Sequence, residues 1–185
     1  MSKDKTAGRS PYCSIKSYDK DDNLNVVIET PQGSRNKFTY DEELAIFKLG
    51  GVLPMGAVFP FDFGFVPGTL GEDSDPVDVL LLMDEPAFVG CLVPSRLIGV
   101  IEAEQTQDGK TERNDRLIAV AVDSRNHRDI TSIHQLSDST LYEIEHFFIS
   151  YNQAKGKEFK PLGRFAADRA TRLVEEGMRK AKRET

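Results

Sequence analysis

The sequence predicts a mainly β protein of the α+β class, an antiparallel barrel with two C-terminal helices packed outside it. Three observations predict this class. Short runs rich in β-branched residues recur between turn-forming residues before residue 121. An Asp-Gly pair at residues 108–109 is typical of a tight hairpin between antiparallel strands. The two segments with helical character both come after residue 136.

Strands are predicted where apolar or β-branched residues run between turns. The predicted strands are residues 25–30, 37–40, 79–83, 92–103 and the returning strand of the hairpin, 116–120. The Gly-Gly pair at residues 50–51 predicts a break. Residues 52–60 predict a short strand or an extended loop, because proline and glycine interrupt them. The stretch 59–76, rich in Phe and Pro, predicts a rigid packed loop.

Two helices are predicted in the last part of the chain. The first opens at Ser137, a residue type that caps helix N-termini well. Apolar residues then recur every three or four positions, so that one face packs on the core. They are Leu141, Ile144, Phe148 and Tyr151. Residues 164–183 form the second predicted helix, whose basic C-terminal end suits the helix dipole.

The length of the chain limits the number of domains that it can form. The chain has 185 residues, which is one domain's worth and enough to bury a sizeable core. Residues 1–20 are polar and predict a loose leader, and residues 21–185 predict a single domain.

Charge and composition exclude several classes of partner. The formal net charge of −6 disfavours nucleic acid, whose phosphate backbone requires a basic surface. Cys13 and Cys91 are too few for a disulfide scaffold and lack the spacing of a zinc site. No stretch is apolar for long enough to span a membrane, and the first residues lack the apolar segment of a secretion signal. A cytoplasmic protein without a membrane partner is therefore predicted.

The acidic loop before the strand 79–83 is the main candidate site. Asp73, Asp75 and Asp78 lie within six residues, and packing three carboxylates together costs repulsion. Mg²⁺, which takes oxygen ligands and keeps several waters, would relieve that cost. Aspartates in turns are also common as solvated turn formers that bond their own backbone. From spacing alone, a metal site and a plain surface turn both remain open.

Two rival metal motifs do not match this loop. A calcium EF-hand needs Asp or Asn at its fifth position and Gly at its sixth, where this stretch has Val77 and Asp78. Residues 73–77 also match the Asp-x-Asp-x-Val opening of haloacid dehalogenase phosphatases. That fold puts its acids after a buried strand, whereas here the strand follows the acids.

The predicted hairpin over residues 100–119 carries further acids. Folding it about residues 108–109 is expected to bring Glu104 roughly opposite Asp115. Two facing acids are destabilising without a cation, which favours a ligand role. Exposed carboxylates paired with the neighbouring basic residues are the alternative, and Asp108 is a further candidate ligand.

The sequence Asp-Ser-Asp-Pro-Val-Asp-Val at residues 73–79 resembles the signature of soluble family I inorganic pyrophosphatases. The resemblance continues in the family's order over residues 24–160. The segments that carry it are 26–31 with Glu29, Lys37, 59–65, 97–101, 116–120, 146–151 and 155–157. It implies an OB-like five-stranded barrel with the site in its mouth, in a homo-oligomer that is hexameric in prokaryotes.

The resemblance also implies a role for each candidate residue. Asp75 would be the catalytic base that accepts the proton of the attacking water. Phosphate oxygens would be bound by Lys37, Arg116 and Tyr151. The metal set would be Glu29, Asp73, Asp78, Glu104 and Asp115, holding several Mg²⁺ ions, two of which can bridge and acidify a water. Glu29 would act through a water on the metal.

Several positions depart from the family pattern. The family's second early acid is Thr39 here, and a tyrosine of the aromatic segment is Phe63. The family's arginine falls on Gly51, or near Lys48 if the loop is shifted. The lysine after the late tyrosine is Asn152. A hairpin lysine is Arg116, and the hairpin acids fall on or beside Glu104, Gln105, Asn114 and Asp115.

The leading prediction is metal-dependent hydrolysis of pyrophosphate to two phosphates. One alternative is a non-catalytic protein on the same fold that binds a divalent metal or a phosphorylated ligand. Another is a hydrolase of a different phosphoanhydride, because a thinner set of cations would admit a larger substrate. The missing arginine, tyrosine hydroxyl and second early acid motivate both alternatives.

Overall fold

The computed structural model describes residues 11–184, which form nine strands and two long helices. The strands are β1 (Leu24–Thr30), β2 (Asn36–Asp41), β3 (Ile46–Val52), β4 (Asp62–Phe65), β5 (Asp78–Leu82), β6 (Leu92–Gln107), β7 (Lys110–Arg113), β8 (Arg116–Ala121) and β9 (Glu158–Ala166). The helices are α1 (Asp138–Gln153) and α2 (Ala167–Glu184).

Five strands close into a ring. The order is β1-β4-β5-β8-β6, and β6 pairs with β1 to complete the circuit. All neighbours in the ring are antiparallel except β5 and β8, which run parallel. The predicted mainly β fold with an OB-like ring is confirmed, with one parallel pair that the antiparallel prediction lacked. The long strand β6 also pairs with β7 and β9, while β2 and β3 form a separate ribbon.

The ring strands are buried on both faces, so their sequences run as nearly continuous apolar stretches. Alternate residues serve two hydrophobic clusters, as Leu80 and Leu81 do on β5. The first cluster includes Ile144 and Phe148 of α1, and the second includes Ala170 and Val174 of α2. Each helix therefore covers one apolar side of the sheet.

The predictions of the α1 cap, its buried face and the hairpin turn are confirmed. Ser137 caps α1, accepting a hydrogen bond from the Thr140 amide. Leu141, Ile144 and Phe148 are buried on one helix face, as predicted. The hairpin turns at Asp108-Gly109 with positive φ at both residues, the conformation for which that pair is suited.

Four predictions about elements are wrong. The pair at residues 50–51 does not break the chain but lies inside β3, where Gly50 forms a bulge. The aromatic stretch contains a strand, β4, rather than loop alone. Residues 164–166 belong to β9, so the last helix begins at Ala167. The hairpin pairs Glu104 with Arg113 rather than with Asp115, because a two-residue turn sets that register.

Half of the predicted leader lies outside the described residues. Residues 11–20 form a short 3-10 turn at Pro11–Ser14 and a bridge from Tyr18 to Leu24. The Ser17 hydroxyl is buried and donates to the Pro67 carbonyl at 2.7 Å. The boundary at residue 20 stays a prediction. No helix within residues 11–184 has the length and apolar character to cross a membrane.

Candidate active site

One cavity of about 520 Å³ gathers most of the predicted site residues. It lies beside the ring, between the acidic loop, the β2–β3 ribbon and the end of α1. Seven of the nine predicted residues line it: Glu29, Lys37, Asp73, Asp75, Asp78, Arg116 and Tyr151. These residues come from five separate parts of the chain, so only the fold brings them together.

The acidic loop is held by its own backbone. The Gly71 amide donates to the Asp75 carbonyl at 2.7 Å, and the Asp75 amide donates to Oδ1 of Asp73 at 3.2 Å. Ser74 between them has a positive φ of 67°. Asp78 is the first residue of β5, so the strand fixes its position. Among the described residues, nothing donates a hydrogen bond to the Asp75 carboxylate, which therefore faces the cavity unengaged.

The acids of this loop lie close enough to oppose one another's ionisation. Burial raises the pKa of Asp73, and the charges of Asp78 and Asp75 raise it further. Burial and the Asp78 charge likewise raise the pKa of Asp75, against a lowering by Lys37 and Lys157. A cation between these carboxylates would reverse the shift, since an opposite charge favours the ionised form.

Glu29 approaches the cavity from the wall of the ring. It lies in β1 with 9% of its surface exposed, and its Oε1 accepts a hydrogen bond from the Tyr40 amide at 2.7 Å. Burial raises the pKa of Glu29 to about 7, although Lys37 and this hydrogen bond lower it. A buried carboxylate so placed is costly unless a cation reaches it.

Arg116 connects the acids to the aromatic core. Its Nη1 lies 2.7 Å from Oδ2 of Asp78 and also donates to the Asn114 side chain. The guanidinium carbon lies 4.9 Å from the ring centre of Phe148 and 5.5 Å from that of Phe159. The side chain is 6% exposed, and its Nε has no hydrogen-bond partner among the described residues. Arg116 is thus held rigidly with a donor to spare.

The opposite wall of the cavity is basic. The Lys37 Nζ lies 4.8 Å from the ring centre of Phe63, so the ring contacts the ammonium at the position where a tyrosine hydroxyl was expected. The Tyr151 hydroxyl accepts a hydrogen bond from the Lys155 Nζ at 2.5 Å. Burial raises the pKa of Tyr151 to about 12, so the phenol keeps its proton. Lys157 also lines this wall.

The structure does not bring Glu104 and Asp115 into this cavity. Glu104 lines neither this cavity nor the adjacent one of about 310 Å³. Asp115 lines the adjacent cavity, and its Oδ1 accepts from the Ala103 amide and from Arg113, both at 2.9 Å. The hairpin instead presents two amides to the main cavity. They are Gln105 and Asn114, joined by a 3.1 Å hydrogen bond.

Strand alternation along β6 could have identified Gln105. Ala103 packs in the apolar cluster beside α1, so Gln105 shares its side of β6 while Glu102 and Glu104 take the other. Glu102 accordingly binds Arg169 of α2 at 2.5 Å. The sequence analysis chose the two acids by residue type, whereas the main cavity is lined by the two amides.

Three other departures from the family pattern have visible consequences. Lys48 lines the cavity but forms a 2.5 Å ion pair with Asp41, so its charge is already engaged. Asn152 also lines the cavity, but it is uncharged, only 2% exposed, and donates to the Phe148 carbonyl at 2.8 Å. Thr39 lines the cavity with a neutral side chain where an acid was expected.

The carboxylates of the cavity fit a hard divalent ion whose remaining ligands are waters and phosphate oxygens of the substrate. Within residues 11–184 no three acidic, His or Cys side chains converge into a complete metal-binding group. Mg²⁺ is usually bound through one or two carboxylates together with waters and substrate phosphates. Asp73 and Asp78 line both cavities, so they stand where such an ion would meet a ligand in the main one.

Known proteins match this chain along most of its length. A family model described as inorganic pyrophosphatase matches residues 26–182. The inorganic pyrophosphatase of Synechocystis sp. is 37% identical over 153 residues, which are 83% of this chain and 88% of that protein. The inorganic pyrophosphatase of Thermus thermophilus has a similar structure, with a TM-score of 0.84 and 32% identity. The match covers 92% of this chain and 98% of the Thermus chain. The inorganic pyrophosphatase of Helicobacter pylori is also similar in structure, with a TM-score of 0.83 and 32% identity. That match covers 91% of this chain and 99% of the Helicobacter chain.

Proposed function

This chain belongs to the soluble family I inorganic pyrophosphatases, and on that premise we propose that its main cavity hydrolyses pyrophosphate to two phosphates with the help of divalent metal ions. The observation that carries the proposal is the division of one 520 Å³ cavity into an acidic and a basic wall. Pyrophosphate is small and densely anionic, so it needs cations on every side. The acidic wall can hold metal ions, while the basic wall binds phosphate oxygens directly.

We propose Mg²⁺ as the ion, with several ions held by Glu29, Asp73 and Asp78. When bound, such ions neutralise the substrate and lower the pKa of water, so that hydroxide is available near neutral pH. Glu104 and Asp115 are left out of this set, because Glu104 lines neither cavity and Asp115 lines only the adjacent one.

Asp75 is the proposed general base. Its carboxylate lines the cavity and accepts no hydrogen bond within the described residues, so it is free to take a proton from the attacking water. Its neighbours Asp73 and Asp78 are assigned to metal, which leaves Asp75 as the unassigned acid of the loop. The position of the Asp75 carboxylate in the cavity supports this role more directly than its pKa does.

Lys37, Arg116 and Tyr151 are the proposed substrate-binding residues. Arg116 is fixed by Asp78 and by two aromatic rings, so its guanidinium is already oriented when substrate arrives. Tyr151 retains its proton and can donate to a phosphate oxygen. Preorganised donors of this kind stabilise the charge that develops on the leaving phosphate.

Phosphate release from pyrophosphate tests the proposal. The unmodified protein is expected to release phosphate with Mg²⁺ and to stop when EDTA is added. Asp75→Asn is expected to lose about 100-fold or more in rate, as for removal of a general base. Asp129→Asn, at an aspartate that is 93% exposed in a loop away from the cavity, is the matched control and should keep full activity.

Two outcomes would contradict the proposal. Absence of release by the unmodified protein would overturn the function. Unchanged release by Asp75→Asn would remove Asp75 from the mechanism.

We also propose a homo-oligomer, a hexamer by family resemblance, and a cytoplasmic location. Light scattering on the purified protein tests the first. A mass of about 20.7 kDa, that of one chain, would contradict it.

A further inference from the structure

We propose that Lys155 is a substrate-binding residue that donates to a phosphate oxygen beside Tyr151, an inference that rests on the function proposed above. Sequence reasoning left Lys155 as part of a basic loop. Three features of the structure support a direct role: its path back over Tyr151, the absence of an acidic partner within the described residues, and the uncharged side chain at the position directly after Tyr151.

The chain turns Lys155 back toward the cavity immediately after α1. The Lys155 amide donates to the Asn152 carbonyl at 2.9 Å, and the Gly156 amide donates to the Gln153 carbonyl at 3.0 Å. Gly156 takes a positive φ of 72°, which permits the tight reversal. The Lys155 Nζ then lies 4.4 Å from the ring centre of Tyr151 and bonds its hydroxyl oxygen. Both side chains line the cavity.

This contact directs the Tyr151 proton. An ammonium group only donates, so the hydroxyl oxygen of Tyr151 accepts from Lys155. The O–H bond of Tyr151 must then point elsewhere, and the cavity is the space it faces. An ammonium group has three donors and this contact uses one of them. Lys155 and Tyr151 can therefore each donate to the same phosphate group.

The basic wall has an unbalanced charge. Among the described residues, no carboxylate lies within ion-pair distance of Lys37, Lys155 or Lys157. Lys48 on the same cavity differs, because Asp41 already pairs with it. Burial lowers the pKa of Lys155, and the charges of Lys37 and Lys157 lower it further. A bound phosphate would offset most of this positive charge, as a bound cation would offset the charge of the acidic wall.

Asn152, the residue directly after Tyr151, carries no positive charge. Its side chain is buried and bonds back to the Phe148 carbonyl within α1. The residue directly after Tyr151 therefore lines the cavity without bringing a positive charge to the substrate. Lys155, one helical turn later, is the lysine whose Nζ contacts the Tyr151 hydroxyl.

Binding of inorganic phosphate, the reaction product, tests this role without turnover. Calorimetric titration in the presence of Mg²⁺ is expected to give a Kd about tenfold higher for Lys155→Gln than for the unmodified protein, the loss typical of one charge-assisted hydrogen bond. Lys155→Arg should stay within about threefold, since it keeps a charged donor. Lys160→Gln, at an exposed lysine of β9 away from both cavities, should bind phosphate normally.

The proposal fails if Lys155→Gln binds phosphate within about twofold of the unmodified protein, below the tenfold step of 1.4 kcal/mol. Thermal melting controls for folding, and Lys155→Met, which keeps the contact with the Tyr151 ring, serves if the glutamine variant is unstable. Because phosphate binding needs no hydrolysis, the two proposals can fail separately. A protein that binds phosphate through Lys155 but releases none from pyrophosphate would refute the function alone.

Discussion

Arg116 occupies the point where the acidic wall meets the aromatic core. Its ion pair with Asp78 and its contacts with Phe148 and Phe159 use both the charge and the flat face of the guanidinium. A lysine ammonium is a compact charge that cannot reproduce the flat contact. The sequence predicts a cation here but not the aromatic setting, because Phe148 and Phe159 come from α1 and β9.

Arg116→Lys is therefore expected to reduce phosphate release from pyrophosphate by about tenfold or more, despite conserving the charge. The measurement is the initial rate at saturating substrate. Arg172→Lys, on the exposed face of α2 where Arg172 pairs with Asp168, is the matched control. Equal rates for Arg116→Lys and the unmodified protein would show that the aromatic contacts do not position the group.

Asp73 faces the main cavity and Glu104 does not, so substitutions of these two acids test which of them binds metal. Asp73 lines both cavities, whereas Glu104 lies on the other side of β6. Glu104→Gln is expected to keep phosphate release within about twofold, as for a surface substitution, while Asp73→Asn should raise the Mg²⁺ concentration needed for half-maximal rate. Magnesium titrations of both variants test this. A large shift for Glu104→Gln would return Glu104 to the metal set.

Gly64 shows how closely two strands of the ring approach. A Cβ added there would lie 2.0 Å from the Val27 carbonyl oxygen of β1, so a side chain cannot fit without moving the backbone. Gly64→Ala is expected to lower the free energy of unfolding by about 3 kcal/mol, at the upper end for overpacking. Gly51→Ala, with nothing within 4 Å of the added Cβ, is the control. Urea unfolding measures both, and equal midpoints would contradict the close approach.

Asp84 ties the segment after β5 to the loop after β8. Its carboxylate accepts from the Arg125 amide, the Ser124 hydroxyl and the Asn126 amide at 2.8 to 3.0 Å. The hydrogen bond from Arg125 first, and the other two after it, lower the pKa of Asp84 from 3.8 to about 2. A group with a lowered folded pKa stabilises the protein above its unfolded value, and that contribution disappears as the pH falls from 3.8 toward 2.

Asp84→Asn is accordingly expected to unfold at lower urea concentration at pH 7, and to lose less stability than the unmodified protein when the pH falls to about 3. Urea unfolding at the two pH values makes the comparison. Asp129→Asn, in the same loop region but exposed, should behave like the unmodified protein. Parallel pH dependence in the Asp84 variant would show that these hydrogen bonds do not hold the loop.

The strands differ in how far the sequence predicts them. β1 and β5 are buried on both faces, so their apolar runs are unmistakable. β9 is only partly buried and contains Pro161 and Gly163, and its pairing with β6 has a bulge at Leu162 between them. Nothing local indicates such a strand, because its hydrogen bonds come from a partner more than fifty residues earlier in the sequence.

At the scale of the whole molecule, the order of motifs predicts the ring and most of the cavity. Seven of the predicted site residues line the main cavity, and each lies in a recognisable neighbourhood of the sequence. Gln105 and Asn114 were passed over for their acidic neighbours, and Lys155 was left in a basic loop, because their placement depends on register and on a turn, which residue type does not reveal. The same chain therefore keeps the family's fold while changing the lining of its site.

The acids of the cavity are separate from the two hydrophobic clusters. None of the cavity acids belongs to either cluster, which are formed by apolar side chains of the ring and the helices. Folding should thus survive removal of metal even though activity depends on it. Metal binding would add stability only through mass action, about 2.7 kcal/mol when the free ion is at 100 times its Kd.

Treatment with EDTA is therefore expected to abolish phosphate release while the protein stays folded, with a thermal midpoint lowered by about 5–10 °C. Circular dichroism melting with excess Mg²⁺ and with EDTA measures the shift, and added Mg²⁺ should restore both rate and midpoint. Asp73→Asn should melt with a smaller difference between the two conditions, because one ligand is lost. Unfolding at room temperature on adding EDTA would contradict this, since the acids would then be part of what holds the ring together.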